Sequence, residues 1–259
     1  MMRIILGVYM ALVLVHVAQA TELKFNTQDF APFNYAIDGV VSGPVAELIR
    51  KVCDEMQITC AFRLLAWTRA QEEVKLGRAH GMFVIGWNAA RAKWLHFTPP
   101  ILYTEYGFFV RDDNPLQFED VNDVKGYRVG VYGPSNTSKS LENIKAQVQE
   151  LTIDMRPDDE AGFKKLSVGR IDAVFSNRDV GHALIAKLKL NNIRYAGMQR
   201  RLQYYIGFSQ AHTDKKLVDQ FNSTLVDLYR RGVAQAILKT YNMEPVALNE
   251  MEGTASGNR

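Results

Sequence analysis

KLGRAHGMFVIG (Lys75–Gly86) and KLSVGRIDAVFS (Lys165–Ser176) are nearly the same phrase written twice, roughly ninety residues apart. Each reads as a helix end closed by Gly-Arg, followed by a short apolar strand and a turn. Upstream of the first lie the strand LKFNTQ, the loop DFAPFNYAIDGVVSG, a helix from Pro44 to Met56, the strand CAFRLL and the helix TRAQEEVKLGR. Upstream of the second lie the strand YRVGVYG, the helix SKSLENIKAQ, the strand LTIDMRP and the helix DEAGFKKLSVGR. Both runs spell βαβαβ, which predicts a parallel sheet with crossover helices in each of two similar α/β lobes.

The ends of the chain complete this organisation. The first twenty residues, MMRIILGVYMALVLVHVAQA, carry one early arginine, an apolar run and small residues at Ala18 and Ala20, the pattern of a cleaved export signal. The run is shorter than the roughly 20 apolar residues of a membrane span. Its removal takes away one arginine and no acid, leaving 30 basic and 28 acidic residues in 239. That balance, without a basic run interleaved with aromatics, argues against nucleic acid as a partner. Two extended, aromatic-rich segments, near Tyr103–Tyr106 and Tyr204–Ile206, are expected to carry the chain out to the second lobe and back. Leu217, Phe221, Leu225 and Leu228 then repeat at helical spacing. The expected division is a signal over 1–20, a first lobe over 21–104 and 206–244, a second over 105–205, and a polar, fraying tail over 245–259. Two parallel-sheet lobes whose strand ends face each other form a cleft that can close.

The two cysteines, Cys53 and Cys60, lie late in one helix and at the start of the next strand. Export places them where disulfides persist, and such a helix–strand return brings two Cα atoms within bridging distance. A disulfide is expected over two buried free thiols. His80, His96, His182 and His212 show no metal-ligand spacing, so neither a metal nor another cofactor is expected.

DFAPFNY…GVVSGPVAELIRKV, LGRAHG…ARAKWLHFTPPILY, GYRVGVYG, VGRIDAVFSN and KLVDQFNSTLVDLYRRGVAQAILKTYN, in this order, resemble the periplasmic type II solute-binding proteins of bacterial extracellular solute-binding family 3, the polar amino-acid receptors of ABC importers. The likeness covers essentially the whole chain after the signal. It implies the periplasmic-binding-protein-like II fold, two α/β lobes joined by a two-strand hinge with an interlobe ligand cleft. It also implies a monomeric, non-catalytic receptor that captures a small carboxylate-bearing solute, an amino acid or related organic acid, and delivers it to an importer's permease. The same fold also serves sensory receptors of membrane signalling proteins and cyclohexadienyl dehydratases, and these stand as the alternatives.

Arg91 matches the family's ligand-carboxylate arginine. It lies three positions after Asn88, a good helix cap, where free amides and a guanidinium fork both favour an anion. Phe30 and Trp67 match positions where relatives place rings around the ligand, and Arg69 lies within reach of the same cleft. Thr137, in the small polar loop GPSNTS, would grip the ligand from the second lobe. Asn177 stands where amino-acid receptors carry the aspartate that pairs with the ligand's ammonium, and Arg178 follows it. An amide cannot neutralise a cation. The carboxylate half of amino-acid recognition is therefore intact in the sequence, while the ammonium half has lost its usual acid; Asp29 and Asp179 are the nearby substitutes.

Overall fold

The computed structural model describes residues 22–257, with side chains to 253; the expected signal over 1–20 lies outside the described residues. In the first βαβαβ run, β1 (Glu22–Thr27) leads through the hairpin β2 (Tyr35–Ile37) and β3 (Val40–Ser42) to α1 (Pro44–Glu55). Then come β4 (Thr59–Leu64), α2 (Trp67–Lys75), β5 (Gly81–Gly86), the short α3 (Ala89–Ala92) and β6 (Leu95–Phe97). The long strand β7 (Leu102–Arg111) carries the chain to the second run. That run is β8 (Arg128–Tyr132), α4 (Asn136–Gln147), β9 (Thr152–Arg156), α5 (Asp159–Ser167), β10 (Ala173–Asn177) and α6 (Arg178–Leu188). A strand of 17 residues, β11 (Ile193–Ser209), returns to the first lobe. There α7 (Lys215–Arg230), α8 (Val233–Thr240), the short β12 (Glu244–Pro245) and α9 (Leu248–Gly257) follow.

Strand order runs β4-β1-β5-β11-β7-β10-β8-β9. In each lobe the first strand of the run lies between the second and the third, and all these pairings are parallel. The third strand then pairs antiparallel with a crossing strand: β5 with β11, and β10 with β7. Both lobes are thus the same doubly wound unit, and β7 and β11 are paired with each other from Leu102↔Tyr204 to Arg111↔Ile193. Aromatic and aliphatic side chains fill both faces of each half. In the first lobe Phe25, Leu48, Phe208 and Phe221 pack on one side, and Val74, Met82 and Leu95 on the other. In the second, Phe108, Leu141 and Phe175 oppose Phe109, Phe163 and Ile171.

The repeated phrase is one piece of backbone chemistry made twice. After α2 the N–H of Gly77 donates to Val74 O at 3.2 Å, and that of Arg78 to Glu73 O at 2.9 Å. After α5 the N–H of Gly169 donates to Leu166 O at 3.0 Å, and that of Arg170 to Lys165 O at 2.9 Å. Both are Schellman closures with glycine in the left-handed region, φ +73° and +70°. Each turns the chain from its helix directly into the strand beside the crossing ribbon.

Three features differ from the sequence expectation. The segment Arg194–Gln203 is strand where only Tyr204–Ser209 read as extended, because its polar alternation hides its pairing to β7. Helix α6 was not anticipated either. The segment from Pro245 is anchored: Val246 and Met251 are buried against the first lobe, and β12 pairs with β7. The expected bridge is present, Cys53–Cys60 with Cα atoms 6.2 Å apart, tying the end of α1 to β4.

Candidate functional site

Strands β1, β5 and β8 end at the gap between the lobes, as parallel-sheet architecture requires of a ligand site. Beyond β5, Asn88 caps α3 with its Oδ1, accepting the Arg91 N–H at 2.8 Å. The Arg91 side chain turns back under this cap, where Nη1 donates to Gly86 O at 2.8 Å. Its guanidinium carbon lies 5.0 Å from the centre of the Trp67 ring, a cation–π contact. Arg91 is only 7% exposed, and no ion pair to it occurs among the described residues. Burial lowers its affinity for its proton, with Tyr106 and Tyr204 acting the other way. A buried cation without an acid is costly, and this one borders a cavity.

The cavity measures about 30 Å³, room for a head group only. Phe30, Trp67 and Arg91 line it from the first lobe, and Tyr132, Asn136 and Thr137 from the second. Tyr106 and Tyr204 reach it from the crossing strands. Direct bonds span the gap. Tyr132 OH donates to Gln28 Oε1 at 3.0 Å, and Asn88 Nδ2 donates to Asn136 Oδ1 at 2.7 Å. A Cβ on Gly86 would stand 2.8 Å from Asn136 Nδ2, so the absent side chain permits this approach.

Of the residues singled out in the sequence, Phe30, Trp67, Arg91 and Thr137 therefore share one cavity. The others lie elsewhere. Asn177 is 1% exposed and caps α6, its Oδ1 accepting the N–H groups of Asp179 and Val180. Its Nδ2 donates to Thr104 Oγ1 at 2.7 Å and to Tyr204 OH at 3.2 Å. Both donors of the amide are thus engaged by the crossing strands. Arg178 pairs with Glu105 at 3.1 Å and Asp179 at 3.3 Å. Arg69 is largely exposed and shares the buried carboxylate of Glu73 with Arg63 and Arg78.

Gln28, Tyr106, Tyr132 and Tyr204 were not singled out, although Tyr132 ends a parallel strand, which is a readable signal. Burial and neighbouring Asp159 push the Tyr132 phenol up to about 12, so it remains a hydrogen-bond donor. Among the described residues no cluster of His, Cys, Asp and Glu could hold a metal ion.

Matched lobes that meet over a shared cavity, linked by two crossing strands, define a two-lobed solute-binding protein. The chain belongs to the bacterial extracellular solute-binding proteins, family 3, whose family model matches residues 24–244. Among solved structures, one describing glutathione import in Gram-positive bacteria through GshT and the cystine ABC importer TcyBC of Streptococcus mutans superposes with a TM-score of 0.80. It is 17% identical and covers 90% of this chain and all of that one. A histidine kinase sensor domain similar to periplasmic binding proteins has a TM-score of 0.78 at 22% identity, over 88% of this chain and 98% of that chain. An ancestral arginine-binding protein bound to arginine has 0.76 at 18%, over 85% and 98%. No curated protein matches the chain in sequence.

Proposed function

We propose that this protein is a periplasmic receptor that closes its two lobes over a small carboxylate-bearing solute and presents it to an ABC importer. The observation that carries the reading is Arg91: a guanidinium 7% exposed, without an acid, at the wall of the interlobe cavity. A ligand carboxylate would supply the missing charge in a two-pronged bond. Trp67 and Phe30 would flank the ligand from the first lobe, and Thr137 with the free edge of Tyr132 would receive it from the second. Contact with both lobes is what makes ligand binding and closure the same equilibrium. Bending is assigned to Thr104–Glu105 and Tyr205–Ile206; β11 shifts register at the second of these points.

Binding shows as a rise in melting temperature. Saturation at about a hundred times Kd stabilises the folded state by about 2.7 kcal/mol, or roughly 5–10 °C for a chain of this size. A thermal-shift screen of amino acids, dicarboxylates and aromatic acids should find such a carboxylate, and Arg91→Ala should weaken its binding about a hundredfold or more. An undiminished shift in Arg91→Ala would remove Arg91 from the site. Incubation with prephenate or arogenate should yield no aromatic product; its formation would establish the dehydratase alternative.

A further inference from the structure

Beside the 30 Å³ cavity at Arg91 lies a far larger chamber between the lobes, about 1040 Å³, and Gln28, Phe30, Trp67 and Tyr132 line both. A solute that extends from Arg91 past these shared walls would place its body in this chamber. The chamber's charges are lopsided. Asp29, Asp158, Asp159 and Glu160 face it, against Lys164 and Lys187. Both lysines are spent on Glu160, at 3.2 and 2.6 Å. Asp158 is occupied as the cap of α5, accepting the Ala161 N–H at 2.7 Å, and Asp29 is solvent-exposed.

Asp159 is different. It is half-buried in the wall where α5 begins, and its Oδ1 accepts a hydrogen bond from Ser176 at 3.1 Å. No cation lies within ion-pair distance of it among the described residues. Burial pushes its carboxyl up to about 6, against the Ser176 hydroxyl and with Asp158 adding to the rise. The smaller of these adjoining voids thus has a nearly buried cation without an acid in its wall, and the larger a carboxylate without a cation. Neither is neutralised by the protein.

The geometry points to Asp159 as the subsite for a cationic group of the solute: the ligand carries its carboxylate and an amine or guanidinium at opposite ends of a short chain. This inference rests on the carboxylate reading of Arg91 and adds a second, separate contact. The cation's partner lies on a different element, α5, and across the cleft from Arg91.

Two matched pairs of probes test it by calorimetry on the full chain after the signal: L-arginine against L-citrulline, and 6-aminohexanoate against heptanoate. Within each pair size is conserved and only the terminal cation differs. The cationic member of at least one pair should bind about tenfold or more tighter than its neutral partner. Asp159→Asn, which keeps an acceptor for Ser176, should reduce that preference to within about threefold, and Arg91→Ala should abolish binding of both members. Equal affinities within both pairs, with binding still lost in Arg91→Ala, would overturn the Asp159 subsite and leave the carboxylate site standing. Binding that survives Arg91→Ala would overturn the carboxylate reading itself. Failure of all four probes to bind would overturn the ligand class inferred here.

Discussion

Asp159 holds its charge against its surroundings, and that has a consequence without any ligand. Its carboxyl, pushed up to about 6 in the folded chain by burial first, has an ordinary value near 3.9 when unfolded. Below about pH 4 both states are protonated and the group is neutral to stability. As pH rises to about 6 the unfolded state loses its proton first, so folding grows less favourable, by about 1–3 kcal/mol once solvent screening is allowed for. Asp159→Asn should therefore melt higher than the parent at about pH 7.5 and together with it at about pH 4. Asp158, Glu160, Lys164, Lys187 and Tyr132 are common to both proteins and cancel in the comparison. A pH-independent difference would place the carboxyl in a solvated setting.

Residue types and spacing, with the family resemblance, pointed to Arg91, which lines the cavity, because a cap followed by arginine at the end of a parallel strand is a local pattern. They were not enough for Asp159 or Asn177. Which way a side chain at a helix start turns depends on the strand packed beside it: Ser176 fixes Asp159, and Thr104 with Tyr204 fixes Asn177. Those partners are 17, 73 and 27 residues away in sequence.

At the scale of elements, the two Schellman closures explain why the phrase is repeated. Each must turn a helix into the strand that abuts the crossing ribbon, and glycine in the left-handed region does this without a Cβ clash. Gly169→Ala should cost about 1–2 kcal/mol, because its Cβ would meet only the movable tip of Arg111. Gly77→Ala should cost more, since its Cβ would lie 2.9 Å from the His212 ring. Denaturant titration of both variants checks the order; equal costs would assign no role to the ring. The Cys53–Cys60 staple closes a short loop of sequence separation 7, and its removal by Cys53→Ser with Cys60→Ser should cost about 2–3 kcal/mol. Periodicity revealed α1, α2, α5 and α7, whose apolar stripes are continuous. It did not reveal the polar half of β11, where Arg194, Gln199, Arg200, Arg201 and Gln203 interrupt the few apolar side chains.

The whole molecule is two copies of one doubly wound unit bent around a paired ribbon, and the lobes meet through contacts that neither makes alone. Gly86 is one of them, in contact with Asn136 of the second lobe. Gly86→Ala would drive Asn136 away from the Asn88 and Gly86 contacts. The variant should bind a carboxylate roughly three- to tenfold more weakly, through a smaller closed population, with the melting temperature of the unliganded chain unchanged. The lobe architecture was legible because repetition is visible in one dimension. The partition of charge along the cleft was not, because the groups that define it come from both lobes and meet only after folding.

Small-angle X-ray scattering of residues 21–259, with and without a saturating carboxylate found by calorimetry, tests closure over Arg91 most directly. The radius of gyration should fall on binding, and the same addition to Arg91→Ala should leave it unchanged. An unaltered radius in the parent despite calorimetric saturation, or an equal contraction in Arg91→Ala, would contradict a cleft that shuts on a carboxylate held by this arginine.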